Sequence, residues 1–286
     1  MNKIYIVTVA TESKYYFPYL IESCKRNNME LTILGFGEEW KGFNWRFNLM
    51  RTFLKSLHPN DIVCFVDGYD VFCSRNLNEL KDTFTNLKKK FNCKVIVGCD
   101  NIQNKRQKFF NRINFNGEIN AGTYIGECID ILNILNSISD IDNASDDQII
   151  LNKYYNENKQ HIYIDKDSEI FGTIYDGNRL KDVSKYYVIK NNEIYIPITN
   201  KRPFFIHGPG MSDLSIILRK INYNCDDTII KQLKKDIILY DYRNLKFKII
   251  KLRNNKYFRT IYKLLIIIIF ILLFYHIYNF CKYKVI

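Results

Sequence analysis

Val63-Cys64-Phe65-Val66-Asp67-Gly68-Tyr69-Asp70-Val71 is the stretch from which the fold is read. An apolar run ends in a carboxylate, and a second carboxylate follows three residues on. An unbroken β-rich run suits a strand covered on both faces. In open α/β sheets, ligands bind beyond the carboxyl ends of the strands. Acids at such an end suit a divalent cation that holds a diphosphate, because these ions take hard oxygen ligands. Gly68 lets the backbone turn between the acids, and Tyr69 offers a flat face to a base. Taken alone, the same residues also fit an ordinary Asp/Gly turn.

Outward from this stretch, strands alternate with helices. Residues 4–10, 31–34, 61–66 and 94–99 are apolar and strand-like. Between them, residues 15–27, 45–57 and 76–91 have helical spacing, with Phe47, Met50, Leu54 and Leu57 on one face and Leu77, Leu80, Phe84 and Leu87 on another. Such alternation predicts a mostly parallel α/β sheet. Residues 119–126 read as extended. Helices are expected at 128–137 and 147–157, and short strands at 161–164, 187–189, 193–196 and 204–207.

The strand 204–207 ends in His207 and runs into Gly208-Pro209-Gly210. Histidine suits Mn²⁺, and glycines let backbone amides approach phosphate oxygens. A haloacid-dehalogenase-type phosphatase would need Asp-x-Asp-Gly-Thr/Ser at the first cluster; the order Asp67-Gly68-Tyr69-Asp70 does not supply it.

The formal charge of +12 would allow nucleic-acid binding. Its distribution argues against that. Arg243, Lys246, Lys248, Lys251, Arg253, Lys256, Arg259 and Lys263 all precede residues 264–280, an almost wholly apolar run. Cations beside such a run mark a membrane segment, and a spanning helix needs roughly 17–25 residues. The eight cysteines form no Cys-x-x-Cys pair, and several lie in strand-like runs, so they are expected as buried, reduced thiols. No signal-peptide pattern opens the chain. Together with the positive-inside rule, these features predict a single-pass C-terminal anchor with the catalytic domain in the cytosol.

In order, Val7-Thr8-Val9-Ala10-Thr11, Leu34-Gly35-Phe36-Gly37-Glu38-Glu39-Trp40, Asp67-Gly68-Tyr69-Asp70, Asn120-Ala121-Gly122-Thr123-Tyr124-Ile125-Gly126, Asp146-Asp147-Gln148 and His207-Gly208-Pro209-Gly210 resemble the glycosyltransferase domain of procollagen lysyl hydroxylases and related viral glycosyltransferases. The resemblance runs from about residue 4 to 213. It implies a GT-A fold, a UDP-glucose or UDP-galactose donor and Mn²⁺. It implies Asp67, Asp70 and His207 as metal ligands and Tyr69 as the ring stacked on uracil. Val9, Thr11 and Trp40 would lie near the nucleotide, with Gly208 and Gly210 near its phosphates. Asp100, Asn120, Asp146 and Asp147 would stand at the reacting centre. Apart from the resemblance, Asn120 also reads as a turn residue, and the paired acids as a helix start.

Some positions depart from that pattern. Pro209, Met211 and Asp213 replace an Asn, a Pro and a Lys, and Met50 stands where a Lys is usual, with Arg51 beside it as a substitute. The oxygenase domain of the hydroxylases is expected to be missing.

The sequence therefore predicts a GT-A-like domain over 1–225, a basic juxtamembrane segment over 226–263, a transmembrane helix over 264–280 and a short tail over 281–286. The expected reaction is transfer of a hexose, glucose first, from a UDP-sugar to an acceptor hydroxyl on a protein or glycan, such as a hydroxylysine-linked glycan. The rivals are a galactosyltransferase acting on hydroxylysine and an inactive, membrane-bound transferase fold that serves as an interaction module. Nucleic acid is not an expected partner. The resembled hydroxylases work in the lumen of the endoplasmic reticulum, which makes that membrane the alternative location.

Overall fold

The period-two alternation of the strands sets the layers. A computed structural model describes residues 2–100, 119–138, 146–174, 183, 186–210 and 212–254. β1 (Ile4–Val9) and β3 (Ile62–Val66) are parallel neighbours, with Val7 opposite Phe65. Successive side chains leave opposite faces. Ile6, Cys64 and Val66 thus enter one core with Leu20 of α1 (Phe17–Arg26), and with Leu80 and Phe84 from a later helix, Leu80–Phe91. Val7, Val9, Val63 and Phe65 enter the other core, with Phe47, Met50 and Leu54 of α2 (Phe43–Lys55). That helix 80–91 is α3, and α4 (Cys128–Ser137) adds Ile131 and Leu135 to the second core. Burying side chains of this size stabilises by roughly 1.5–3 kcal/mol each.

β2 (Leu31–Leu34), β5 (Val95–Cys99), β6 (Ile119–Glu127) and β7 (Ile162–Asp165) complete a six-stranded sheet of order β2-β1-β3-β6-β5-β7. β1 is parallel to β2 and β3, and β5 to β7. β6 runs antiparallel to both of its neighbours. The sheet is mostly parallel, as the sequence predicts, with one reversal at β6 that strand–helix alternation does not foretell.

A second, three-stranded sheet supports His207. β4 (Val71–Cys73) lies antiparallel to β11 (Phe205–His207), and β8 (Phe171–Thr173) parallel to it. β4 and β8 are too short to show a pattern in sequence. Asp165 helps to place β8. Burial pushes its carboxyl up to about 6, opposed by hydrogen bonds from the amides of Phe171, Ile170 and Glu169. Those amides donate at 2.9, 2.7 and 2.9 Å, so one carboxylate ties down the turn that feeds β8. β9 (Val188–Lys190) and β10 (Glu193–Tyr195) form a hairpin over Asn191 and Asn192, both at positive φ, which Asn tolerates in such turns.

α5 (Asp147–Glu157) covers β6, α6 (Ser215–Lys220) follows β11, and α7 (Thr228–Asn254) occupies much of the expected basic segment. The chain divides into two units, Met1–Leu233 and Lys234–Ile286. In the first, Leu233 is buried with Tyr223 and Cys225. The expected membrane segment 264–280 and the tail 281–286 lie outside the described residues. Among the described residues, no helix is long and apolar enough to cross a membrane. Among the described residues no disulfide forms, and every described cysteine but Cys99 is buried.

Candidate active site

β3 delivers Asp67. Its amide donates to the Gly122 carbonyl at 2.8 Å, one step beyond the Val66–Thr123 pair. Continued alternation from Phe65 points Asp67 towards α2. Asp70 leads into β4, and the β4–β11 pairing sets Val71 opposite His207. The Asp70 carbonyl also accepts the Gly208 amide at 2.9 Å. Two sheets thus converge. His207 Nε2 lies 3.3 Å from Asp70 Oδ1 and 4.0 Å from Asp67 Oδ2. One ligand atom from each residue falls within 4.8 Å of the other two.

This donor set fits a divalent cation. His207 is 2% exposed, and neither ring nitrogen makes a hydrogen bond of good geometry. Burying polar atoms in that state is costly unless something coordinates them. Gly122 keeps the space open. A Cβ there would fall 2.5 Å from His207 Cε1 and 3.0 Å from Asp67 Cγ, and closer still to Asp67 Oδ2. Gly122→Ala is therefore expected to weaken divalent-cation binding and to slow any reaction at the site about 10²-fold, the usual consequence of displacing a reacting group by an ångström. Calorimetric titration with divalent cations checks this; natural affinity in the variant would mean the ligands do not converge over Gly122.

The electrostatics follow from enclosure. The Asp67 side chain is a third exposed at the mouth, but Arg46, Asp70, His207 and Gly122 surround its carboxyl. Burial pushes that carboxyl up to about 6; Arg46 opposes the rise and Asp70 adds to it. Burial alone would lower the His207 imidazole, but Asp70, Asp67 and Asp100 outweigh it and leave it raised. Asp100, just past β5, is itself pushed up to about 6 by burial, with His207 opposing.

Arg46 is a residue that sequence reasoning missed. It is 6% exposed on α2 and bonds Asp67 Oδ1 at 3.0 Å and Asp147 Oδ2 through its other terminal nitrogen. Burial would lower its basicity, and Asp147 and Asp67 outweigh that. Arg51, offered by the sequence as the substitute cation, has another role. Its Nε donates to the Leu135 carbonyl at 3.0 Å, and a terminal nitrogen donates to Asn48 Oδ1 at 2.6 Å, so it holds the end of α4. The signal for Arg46 was available: alternation aims Asp67 at α2, and Arg46 lies in its first turn.

Asp146, Asp147 and Gln148 divide their work. Asp146 is exposed and caps α5, accepting the Gln148 amide at 2.9 Å. Asp147 turns inward to Arg46. Gln148 accepts the Ala121 amide at 2.8 Å and donates to the Ile119 carbonyl. It thereby replaces ladder bonds where β6 bulges, since Val97 faces Tyr124 but Gly98 faces Asn120. Bulges commonly re-aim residues beside active sites, and this one carries Gly122. Asn120 is buried and accepts the Gly122 amide at 3.0 Å, which fixes the bulge.

The nucleotide-side residues form a neighbouring group. The Tyr69 hydroxyl accepts the Thr11 amide at 2.9 Å, and the Thr11 carbonyl accepts the Gly37 amide at 2.9 Å. Val9 ends β1 and is buried. Trp40 is 47% exposed and packs edge-on against Phe43 and Trp45. Gly68 has no positive φ; it is small because a Cβ would sit 3.1 Å from Thr8 Oγ1. The Gly208 amide is engaged by Asp70, so it does not point at a phosphate as the sequence suggests. Gly210 turns through φ +67. Asp213 accepts the Ser215 amide at 2.9 Å and starts α6. Met211 lies outside the described residues.

The chain has relatives among known proteins. The chain is 24% identical over 244 residues to procollagen-lysine,2-oxoglutarate 5-dioxygenase of Drosophila melanogaster, covering 75% of this chain and 32% of that protein. It is 23% identical over 230 residues to the multifunctional procollagen lysine hydroxylase and glycosyltransferase of Caenorhabditis elegans, covering 74% of this chain and 31% of that one. The chain thus spans about a third of the length of these relatives. A glycosyltransferase involved in glycosylation of the major capsid of PBCV-1 superposes with a TM-score of 0.45 at 12% identity, over 73% of this chain and 93% of that one. The family model described as PLOD GT domain matches residues 1–230, most of the chain, and the protein belongs to that family.

Proposed function

We propose that the chain transfers a hexose, glucose first, from a UDP-sugar to an acceptor hydroxyl on a protein or glycan, with Mn²⁺ as cofactor and a GT-A fold as scaffold. The convergence of Asp67 and Asp70 with a buried His207 that has no good hydrogen bond carries the reading. These residues would hold the cation, which when bound neutralises charge on the departing diphosphate. A mixed carboxylate–imidazole set suits Mn²⁺ better than Mg²⁺, which favours oxygen-only octahedra. Tyr69 would present its ring to uracil. Arg46 would hold Asp67 and Asp147 in place. The acceptor oxygen forms a bond to the anomeric carbon as the bond to the diphosphate oxygen breaks, UDP leaves, and the hydroxyl proton is lost to the departing diphosphate or to water. Two relatives are named for procollagen lysine, which makes a hydroxylysine-linked glycan the first acceptor to try.

Incubating the protein with Mn²⁺ and each common UDP-sugar, and measuring UDP release, tests the reading. Release from UDP-glucose supports it, release only from UDP-galactose moves the assignment to a galactosyltransferase, and none with any sugar leaves an inactive module. A pH dependence follows from Asp67. Its raised carboxyl retains a proton until about pH 6, and a ligand must lose its proton to bind metal. Mn²⁺ affinity is expected to fall as the pH drops, first as the raised His207 imidazole takes up its proton and then by a further tenfold or so per unit below about pH 6 as Asp67 does. A flat calorimetric profile between pH 7 and 5 would exclude Asp67 as a ligand.

We also propose that residues 264–280 anchor the protein with the catalytic domain in the cytosol, because the cations preceding that run outnumber Lys282 and Lys284 after it. In sealed microsomes the domain is expected to be digested by added protease. Protection until detergent is added would reverse the topology.

A further inference from the structure

α7 carries an exposed stripe that the proposed reaction does not use. Within the second unit, Lys234, Lys235, Ile238 and Tyr242 fall inside an arc of about 100° at about 100° per residue. All four are exposed, Ile238 at 68% and Tyr242 at 63%. In sequence, Leu245, Lys246, Ile249 and Arg253 recur at the same spacing. Asp236 falls on the far side of the helix, and Asp241 lies about 20° outside the arc, beside Lys234. The stripe is therefore cationic and apolar together, with one acid at its edge. A face meant only for water does not need Ile238, and a face meant for protein packing would not carry adjacent lysines.

We propose that this stripe lies on an anionic lipid surface. Its lysines would sit among acidic headgroups while Ile238 and Tyr242 enter the interface, as basic amphipathic helices do. Charge complementarity favours that occupant. So does the chain beyond: α7 ends at Asn254, and the apolar run begins at Leu264. That spacing would keep the helix within reach of a bilayer entered by residues 264–280. The proposal extends the anchor reading, but it makes a separate claim: the lipid charge matters, and the contact is made by the helix.

Amide exchange of the full chain on vesicles tests it. Phosphatidylcholine vesicles are compared with vesicles that also contain phosphatidylserine. Exchange across 234–254 is expected to slow by about tenfold or more on the anionic vesicles, since each cation near such a surface is worth roughly fivefold. High salt should abolish the difference, because screening shortens the reach of surface charge. Lys234→Glu combined with Lys235→Glu should abolish it as well, while UDP release in solution stays unchanged. Equal exchange on both vesicles would overturn the proposal. So would protection that depends on protein concentration and not on lipid, which would place a second copy on the stripe. Retention on neutral vesicles after alkaline washing reports the anchor alone, so the two readings can fail separately.

Discussion

Asp70→Ala is expected to slow sugar transfer by about 10²–10³-fold and to abolish the effect of Mn²⁺ on UDP binding. Asp70 is the cleaner of the two acids to remove. Asp67 also pairs with Arg46, so its loss disturbs α2. Asp70 Oδ1 instead faces His207 Nε2 at 3.3 Å, and its backbone role through the Gly208 amide survives substitution. The variant should therefore fold, with β4 and β11 still paired. Chelation of the natural protein should reproduce the same loss, and Asp70→Asn should follow Asp70→Ala, because an amide keeps the shape but not the charge. Calorimetry with UDP, with and without Mn²⁺, is the measurement. Unchanged UDP affinity in the variant, or a natural protein indifferent to Mn²⁺, would remove Asp70 from the centre.

The sequence made the strands of the large sheet legible because each is a run rich in apolar β-formers. It pointed to both strand-end clusters because the acids and the histidine close those runs. What it did not show is cooperative over long distances. β4 and β8 are each three residues long and exist because β11 pairs with both. The reversal of β6 is set by its pairing with β3 and β5, and its bulge is held by Gln148, whose bonds to Ala121 and Ile119 no local pattern encodes. Arg46 could be suspected from its place in the first turn of α2, but the role of Arg51 shows only in the packing of α2 against α4. The Gly208 amide illustrates the same limit: glycine beside a strand end fits phosphate binding, yet its partner is the Asp70 carbonyl.

Arg46→Met is expected to destabilise the protein by about 3–5 kcal/mol, because it leaves buried carboxylates without their cation. Arg46 bridges Asp67 and Asp147, and Asp147 is only 7% exposed. Asp147→Asn should cost less, since an amide can still accept a bond from Arg46 while Asp67 keeps its partner. In a double-mutant cycle the pair should show coupling of about 0.5–3 kcal/mol; additive losses would mean the bridge contributes nothing to folding. Urea unfolding supplies these numbers. A second readout separates position from stability. Arg46 opposes the upward shift of Asp67, so its removal raises that carboxyl further, and the proton is then held to higher pH. The Asp67 part of the Mn²⁺-binding profile of Arg46→Met should move to higher pH than in the natural protein, whereas Asp147→Asn, which leaves Arg46 beside Asp67, should lower turnover with UDP affinity within a few fold of natural. If the profile of Arg46→Met stays in place while stability falls, Arg46 braces the fold without tuning the metal ligand.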